Sequence, residues 1–361
     1  MNNYIFVFLI SLALSFVITK FVMVLAKRTA ILDYPKDQRK IHQQPMPLLG
    51  GVAIFFSFII AVFILWQSHQ LLDERISWSI ICWFLLAGLI LIINGFLDDK
   101  FSWPAHITIW GPIIASILII IGGLKITYIT HPDGGVLYLD NLFTWLFQWG
   151  GLEYSFSWLT AIITFIWLMS ITYTTKLLDG IDGLTTSVGL IASLVIFIVS
   201  LSWDVVGSTT SLLSLSLAGI LLGFLIWNWH PAKIFLGEGG STFIGFSLGV
   251  LAIISGSKIA TALLVMGLPF LDVIWVIFWR LKKGQNIFKG DRQHLHFRLL
   301  SLGLSQRQIV VFLSLISLCF GLVSIFFTTK AKISALIILL VFMFLLSIWL
   351  NYRLRRINEE G

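Results

Sequence analysis

The sequence predicts an all-α polytopic membrane protein with about eleven transmembrane helices, and three observations predict it. Of its 361 residues 58% are hydrophobic and 11% are charged, where ordinary soluble domains carry roughly 25% charged residues. Apolar runs close to the ~20 residues that cross a bilayer recur along the whole chain. Basic residues collect in alternate connections between those runs, as they do where loops orient a membrane protein.

The spans are expected at about 3–26, 48–66, 78–97, 105–122, 157–174, 185–202, 209–227, 243–257, 259–279, 309–327 and 333–351. The first run is long and no small-residue cleavage site follows it, so it reads as a span and not a removable signal peptide. Sidedness follows from the connections. Arg75, Lys125, Lys258, Lys330 and Lys332 lie on one side, whereas segments 27–47 and 280–308 and the C-terminal tail concentrate the other basic residues. That bias sets the N-terminus outside and the C-terminus in the cytoplasm. Segments 27–47, 98–104, 175–184, 228–242 and 280–308 are then cytoplasmic. The net charge of +7 reports this orientation, and no nucleic-acid partner is expected. Cys82 and Cys319 both sit in apolar runs and are expected to be buried free thiols, with neither a disulfide framework nor a zinc site.

One outer segment differs. Lys125-Ile-Thr-Tyr-Ile-Thr alternates, His131-Pro-Asp-Gly-Gly135 is a turn signal, and Val136-Leu-Tyr-Leu follows. This predicts a small periplasmic β-hairpin at about 124–140. Phe143, Trp145, Phe147, Trp149, Tyr154, Phe156 and Trp158 behind it suit the headgroup region as an aromatic belt. No internal repeat or second domain is visible, so residues 1–361 form one membrane domain.

Chemistry is concentrated in the cytoplasmic segments. The centre is Lys176-Leu-Leu-Asp-Gly-Ile-Asp-Gly-Leu184, where Asp179 and Asp182 stand three residues apart between two apolar runs. Charge in a bilayer needs water, protein or a metal ion beside it, and carboxylates with substrate phosphates are a usual Mg²⁺ environment. A solvated turn would also fit this stretch alone. Asp98 and Asp99 are adjacent at the end of the third span, where the helix dipole disfavours acids. In the first loop Arg39, Lys40 and His42 are phosphate-pairing types, and Pro45, Pro47, Gly50 and Gly51 give a rigid entry into the second span. The fourth loop runs from Asn228 to Thr242. Its Gly237-Glu-Gly-Gly-Ser exposes backbone N–H groups beside Glu238, as anion cradles do. In the fifth, Asp291, Arg292, His294 and His296 cluster; two histidines without cysteine make a poor zinc set, and phosphate contacts fit better. Pro269 predicts a bend in the span before them, and Asp272 is an acidic residue within that span. All five polar sets fall on one side of the membrane, which suits Mg²⁺-assisted phosphoryl chemistry between a soluble anion and a lipid phosphate.

At this point the residues resemble a known family, the polyprenyl-phosphate N-acetylhexosamine-1-phosphate transferases, and most closely its WecA/TagO branch. Arg39-Lys-x-His42 through Gly50-Gly51 is similar to the first-loop signature. Gly95-Phe-Leu-Asp-Asp99 resembles the Asp-Asp motif, and Asp179-Gly-Ile-Asp-Gly-Leu184 the DGxDGL motif. Asn228-x-x-Pro231 with Gly237-x-x-Gly-Ser241 resembles the fourth-loop motif, and Pro269-x-x-Asp272 with Asp291-Arg-x-His-x-His296 the fifth-loop region. The His-Leu-His pattern points away from the sister group MraY, which carries three consecutive histidines.

The resemblance implies that undecaprenyl phosphate attacks the β-phosphate of a UDP-N-acetylhexosamine, most simply UDP-GlcNAc, releasing UMP at the cytoplasmic face of a bacterial inner membrane. It implies Mg²⁺, with Mn²⁺ as the alternative, and a homodimer by analogy. Asp98 would accept the proton of the lipid phosphate or orient it. Asp99, Asp179 and Asp182 would shape the metal and pyrophosphate site, with Glu238 and Asp182 as metal ligands. Arg39, Lys40, His42, Lys176, Asn228, Gly237, Gly239, Asp291, Arg292, His294 and His296 would contact substrates. Four positions depart from the pattern: Tyr173 and Lys176 replace asparagines, Glu238 replaces an aspartate, and Phe297 replaces a third histidine. These departures point to a rearranged metal site in which Lys176 neutralises phosphate directly. The competing expectations are a lipid-phosphate transporter or flippase and a catalytically altered homologue.

Overall fold

The structure is a computed structural model, and it describes residues 2–35, 44–68, 76–131, 133, 135–149, 152–203, 207–256, 258–285 and 293–360. Among them nine helices are long and apolar enough to cross a membrane. They are α1 (Asn2–Arg28), α2 (Gly50–Gln67), α3 (Trp78–Phe101), α6 (Trp158–Leu178), α7 (Leu184–Trp203), α8 (Thr209–Asn228), α9 (Gly237–Ile254), α13 (Gln306–Phe326) and α14 (Thr329–Glu360). The other two expected spans are interrupted. Residues 105–121 form α4 (Ala105–Thr108) and α5 (Trp110–Ile121), a shorter apolar segment. The expected bend is real: α10 (Ile259–Val265) and α11 (Gly267–Lys282) meet at 78°. Pro269 lies in the first turn of α11, where its missing N–H costs nothing but cannot continue α10. A short helix α12 (Leu295–Ser301) precedes α13.

Helices α8 and α9 form the centre of the bundle, each with 83% of its span buried. Both are buried on nearly all sides, as a helix without a lipid-facing stripe is, and both carry small residues that let neighbours approach. Gly219 of α8 faces the backbone oxygen of Phe8 in α1, where an added Cβ would come within 2.5 Å. An aromatic cluster joins α2, α3 and α9. The Phe55 and Phe243 rings lie 5.2 Å apart, those of Phe58 and Phe84 5.5 Å, and those of Phe84 and Phe246 6.1 Å. Edge contacts of this kind add to simple area burial.

Three helix ends differ from expectation, and each difference bears on the site. α3 runs on through Asp98 and Asp99 to Phe101, because apolar periodicity fades before helical hydrogen bonding does. α9 starts at Gly237, not near 243, so the glycine-rich stretch is the first turn of a helix. α6 likewise includes Lys176 and stops at Leu178. The first-loop prolines and glycines also find their reason here. Strands β1 (Leu32–Asp33) and β2 (Met46–Pro47) pair antiparallel and close the loop at its base. The N–H groups of Gly50 and Gly51 then donate to the carbonyls of Phe235 and Leu236 at 3.0 and 2.8 Å, fastening the entry of α2 to the approach of α9.

The predicted hairpin is present. β3 (Tyr128–Thr130) pairs antiparallel with β4 (Val136–Tyr138), Ile129 opposite Leu137. The aromatic segment behind it also forms a hairpin, β5 (Thr144–Trp149) with β6 (Leu152–Ser157), in which Trp145 pairs with Phe156 and Phe147 with Tyr154. Alternating aromatics around Gly150-Gly151 carried that signal. The two cysteines are free, but both are exposed on outward helix faces and not buried; an apolar run says that a residue is in a span, not which side of the helix it occupies.

Glycine sets the spacing around α9. An added Cβ on Gly95 of α3 would collide with the backbone N and Cα of Gly239. Alanine in a helix interior gains about 1 kcal/mol over glycine in propensity, while overpacking costs typically 1–3 kcal/mol and backbone cannot rotate aside. Gly95→Ala should therefore lower the unfolding temperature of the purified protein. Gly239→Ala, whose Cβ would meet Ile92 Cα at 3.4 Å, should leave it nearly unchanged.

Candidate active site

The ends of α3, α6 and α9 and the connections beside them enclose one cavity of about 820 Å³. Its walls include Asp98, Asp99, Lys176, Asp179, Asp182, His230 and Glu238. Each is placed by a helix end. Asp98 and Asp99 ride the last turn of α3, Lys176 the last turn of α6, and Glu238 the first turn of α9. Asp179 is the residue on which α6 ends. Backbone there is already turning, so short connections present these side chains inward.

The carboxylates are not equivalent. Asp99 Oδ1 accepts a hydrogen bond from Glu238 N at 3.1 Å, and so satisfies one of the open N–H groups in the first turn of α9. Glu238 Oε1 lies 2.6 Å from Lys176 Nζ in a half-buried ion pair. Asp182 Oδ2 lies 2.7 Å from His230 Nδ1 and accepts from Ala232 N at 3.1 Å. The Asp182 N–H donates to Gln306 Oε1 at 3.1 Å, and Arg307 Nε donates to the His230 carbonyl at 2.9 Å. Among the described residues Asp98 and Asp179 are in no ion pair. Asp179 is accessible from the cavity yet lies deep beneath the protein surface. That depth, and next the Glu238 charge, push its carboxyl up to about 7.

Other expected site residues serve the walls. Asn228 Oδ1 accepts from the Thr186 hydroxyl and its Nδ2 donates to the Ile234 carbonyl, both at 2.9 Å, so the amide holds the fourth connection together although it borders the cavity. Gly237 turns the chain at φ +70 against Asp99, and Gly239 packs on α3. His294 and His296 are buried, at 6% and 1% exposure, and do not reach the cavity surface. Asp272 receives His294 Nδ1 at 2.9 Å and the Leu295 N–H at 3.0 Å, thereby starting α12 from outside. The His296 ring sits directly behind Gly180, and burial followed by the His294 charge pushes it down to about 3, leaving it neutral. Arg39, Lys40, His42, Asp291 and Arg292 lie outside the described residues.

Sequence reasoning missed His230 and Gln306 as cavity residues, whereas Phe297, named there for replacing a histidine, does line the cavity. His230 carried a signal, standing between Asn228 and Pro231 of a stretch already singled out; Gln306 stands at a helix start and carried none.

Oxygen donors suit a hard cation such as Mg²⁺, which binds through one or two carboxylates plus substrate phosphates. No three His, Cys, Asp or Glu side chains among the described residues converge as a ready-made cage. Asp98 and Asp179, in no ion pair among the described residues and beside the same cavity, fit the sparser mode. Glu238 and Asp182 already have Lys176 and His230.

Comparison with known proteins gives a consistent result. The family model for glycosyl transferase family 4 matches residues 80–256, a range that contains Asp98, Asp99, Asp179, Asp182 and Glu238 of the cavity but not Asp33. A Bacillus subtilis protein named "Probable undecaprenyl-phosphate N-acetylglucosaminyl 1-phosphate transferase" is 31% identical over 93% of this chain and 89% of its own. A decaprenyl-phosphate N-acetylglucosaminephosphotransferase of Mycobacterium leprae is 31% identical over 82% of this chain and 77% of its own. An undecaprenyl-phosphate alpha-N-acetylglucosaminyl 1-phosphate transferase of Thermotoga maritima is 27% identical over 78% and 77%.

Two predictions follow from the geometry. A carboxyl whose folded value is raised from 3.8 to about 7 binds its proton more tightly in the fold, so stability is lost as pH rises from about 4 through about 7. Asp179→Asn should thus unfold at a higher temperature than the parent at about pH 8, with the gap closing toward pH 4. Accessibility from the cavity holds the gain to about 1 kcal/mol. Asp272→Ala strands His294 and the first N–H of α12, and should cost about 3–5 kcal/mol, seen as early, separate loss of hydrogen-exchange protection in α12.

Proposed function

We infer the reaction from one premise: the chain belongs to glycosyl transferase family 4. It transfers N-acetylglucosamine 1-phosphate to a polyprenyl phosphate in the acidic cavity. The donor is a UDP-sugar and the acceptor undecaprenyl phosphate. A phosphate oxygen of the acceptor bonds to the β-phosphorus of the donor, the bond from that phosphorus to the bridging oxygen breaks, and UMP leaves with the bridging oxygen.

The observation that carries this reading is the single cavity that gathers both aspartate pairs with Lys176 and Glu238. Two anions that react must be brought together against their repulsion, and such sites work mainly by positioning and charge neutralisation. Asp98, in no ion pair among the described residues, orients the acceptor phosphate or takes its proton. Lys176 Nζ offers donors to phosphate oxygens. The His230 ring, fixed by Asp182, forms part of the cavity wall. Mg²⁺, held by Asp98 and Asp179, would supply charge neutralisation at the pyrophosphate. The reading places the cavity at the cytoplasmic face of a bacterial inner membrane, as the basic connections support. A transport role would draw on charge near the middle of the bilayer, whereas these carboxylates sit at helix ends.

Purified protein with Mg²⁺, undecaprenyl phosphate and a panel of UDP-sugars tests the reading by UMP release and lipid product. UMP should form only when the lipid phosphate and an N-acetylated donor are both present. Asp98→Asn should lower kcat by about 10²-fold or more with the fold intact. No UMP from folded protein with any donor would overturn the assignment.

A further inference from the structure

Lys176 is the only ammonium group on the described wall of a cavity that also exposes Asp98, Asp99, Asp179, Asp182 and Glu238. Its Nζ lies 2.6 Å from Glu238 Oε1, and both side chains are mostly withdrawn from solvent, at 21% and 11% exposure. The ammonium also sits 5.3 Å from the centre of the Tyr173 ring, a cation–π contact from one turn earlier on the same helix. Lys176 is therefore held from two sides. It is anchored by the final turn of α6, whereas Glu238 is anchored by the first turn of α9, whose N–H is itself bonded to Asp99. The pair joins two rigid elements at the point where the cavity is most acidic.

A tethered ammonium and a dissolved divalent cation answer the same demand. A carboxylate oxygen at 2.6 Å from an ammonium cannot also ligate a metal without losing that partner, and the two positive charges repel across the same few ångströms. We propose that Lys176 is a resident cation that occupies Glu238 and thereby sets how strongly, and through how many carboxylates, the cavity binds a divalent cation. With Lys176 in place a divalent ion is left the Asp98 and Asp179 side and depends on substrate phosphates for its remaining ligands. With Lys176 neutralised, Glu238 becomes a third carboxylate donor, and the cavity holds the ion in the absence of substrate. The inference rests on the transferase reading only for its catalytic meaning; the competition for Glu238 is a property of the cavity.

Mn²⁺ binding to the full chain in detergent or nanodiscs, followed by the electron paramagnetic resonance of free Mn²⁺ with no substrate present, tests it. Lys176→Met should bind Mn²⁺ at least tenfold more tightly than the parent. Lys176→Arg, which keeps the charge, should stay within about threefold of the parent. The double variant Lys176→Met/Glu238→Gln should lose the gain. Lys176→Gln replaces Lys176→Met should the latter fail to fold, with the same expected gain. Unchanged or weaker Mn²⁺ binding on neutralising Lys176, or a gain that survives loss of the Glu238 carboxylate, would overturn the proposal. UMP release is measured on the same preparations. Absent UMP with the Mn²⁺ gain intact refutes the reaction and leaves the cation competition standing; normal UMP release without the gain does the reverse.

Discussion

The position of the first turn of α9 depends on glycine meeting glycine. Gly51 of α2 and Gly95 of α3 leave no room for a Cβ against the backbone of Gly239 and Gly240. Three helices consequently approach backbone to backbone at the cavity floor. A side chain at Gly51 or Gly95 would push α9 outward, and Glu238 would leave both Asp99 and Lys176. Close approach also lets dispersion act where little hydrophobic driving force exists between helices in lipid. Spacing is thus settled by the absence of side chains, and the charged groups are arranged on top of it.

On that floor, electrostatics is handled by partition. Six acidic residues line one space, Asp33 among them, and like charges in a poorly solvated cleft are costly. Asp99 is spent on an open N–H of α9, Glu238 on Lys176, and Asp182 on His230 and a backbone N–H. Asp98 and Asp179 are in no ion pair among the described residues, and burial, followed by the Glu238 charge, pushes the Asp179 carboxyl up to about 7. A buried pair such as Lys176 with Glu238 is weak grounds for claiming stability, since desolvation offsets attraction. Its stronger claim is on register between α6 and α9.

The architecture was largely legible in the sequence because apolar length and turn chemistry are local signals. The all-helical class, the hairpin around Gly135, the bend near Pro269 and the convergence of the aspartate pairs were all readable that way. Less was legible where the decision is made by tertiary contact. Residues 98–101 and 237–242 look like polar connections, and only packing against neighbours shows them to be helix ends. Cys82 and Cys319 needed knowledge of which helix face is outward. Pairing was the least visible layer: nothing in the spacing of Lys176 and Glu238, or of Asp182 and His230, says that they meet. The histidines of the fifth segment look like surface ligands in a string of charges, yet Asp272 draws His294 into the interior, a contact no local pattern encodes.

The hydrogen bonds that close the cavity link distant parts of the chain. Asp182 reaches Gln306 across 124 positions, His230 reaches Arg307 across 77, and Asp99 reaches Glu238 across 139. Chains are made from the N-terminus and membrane helices enter in turn. Asp98, Asp99, Asp179 and Asp182 are therefore delivered to the bilayer surface well before the residues that enclose them. Until α13 has been synthesised and docked, an inserting chain carries a cluster of acids open on one side. The order of biosynthesis makes the last third of the protein the step that completes the site, and a ribosome-bound chain ending before Gln306 would hold its acidic residues without the wall that shields them.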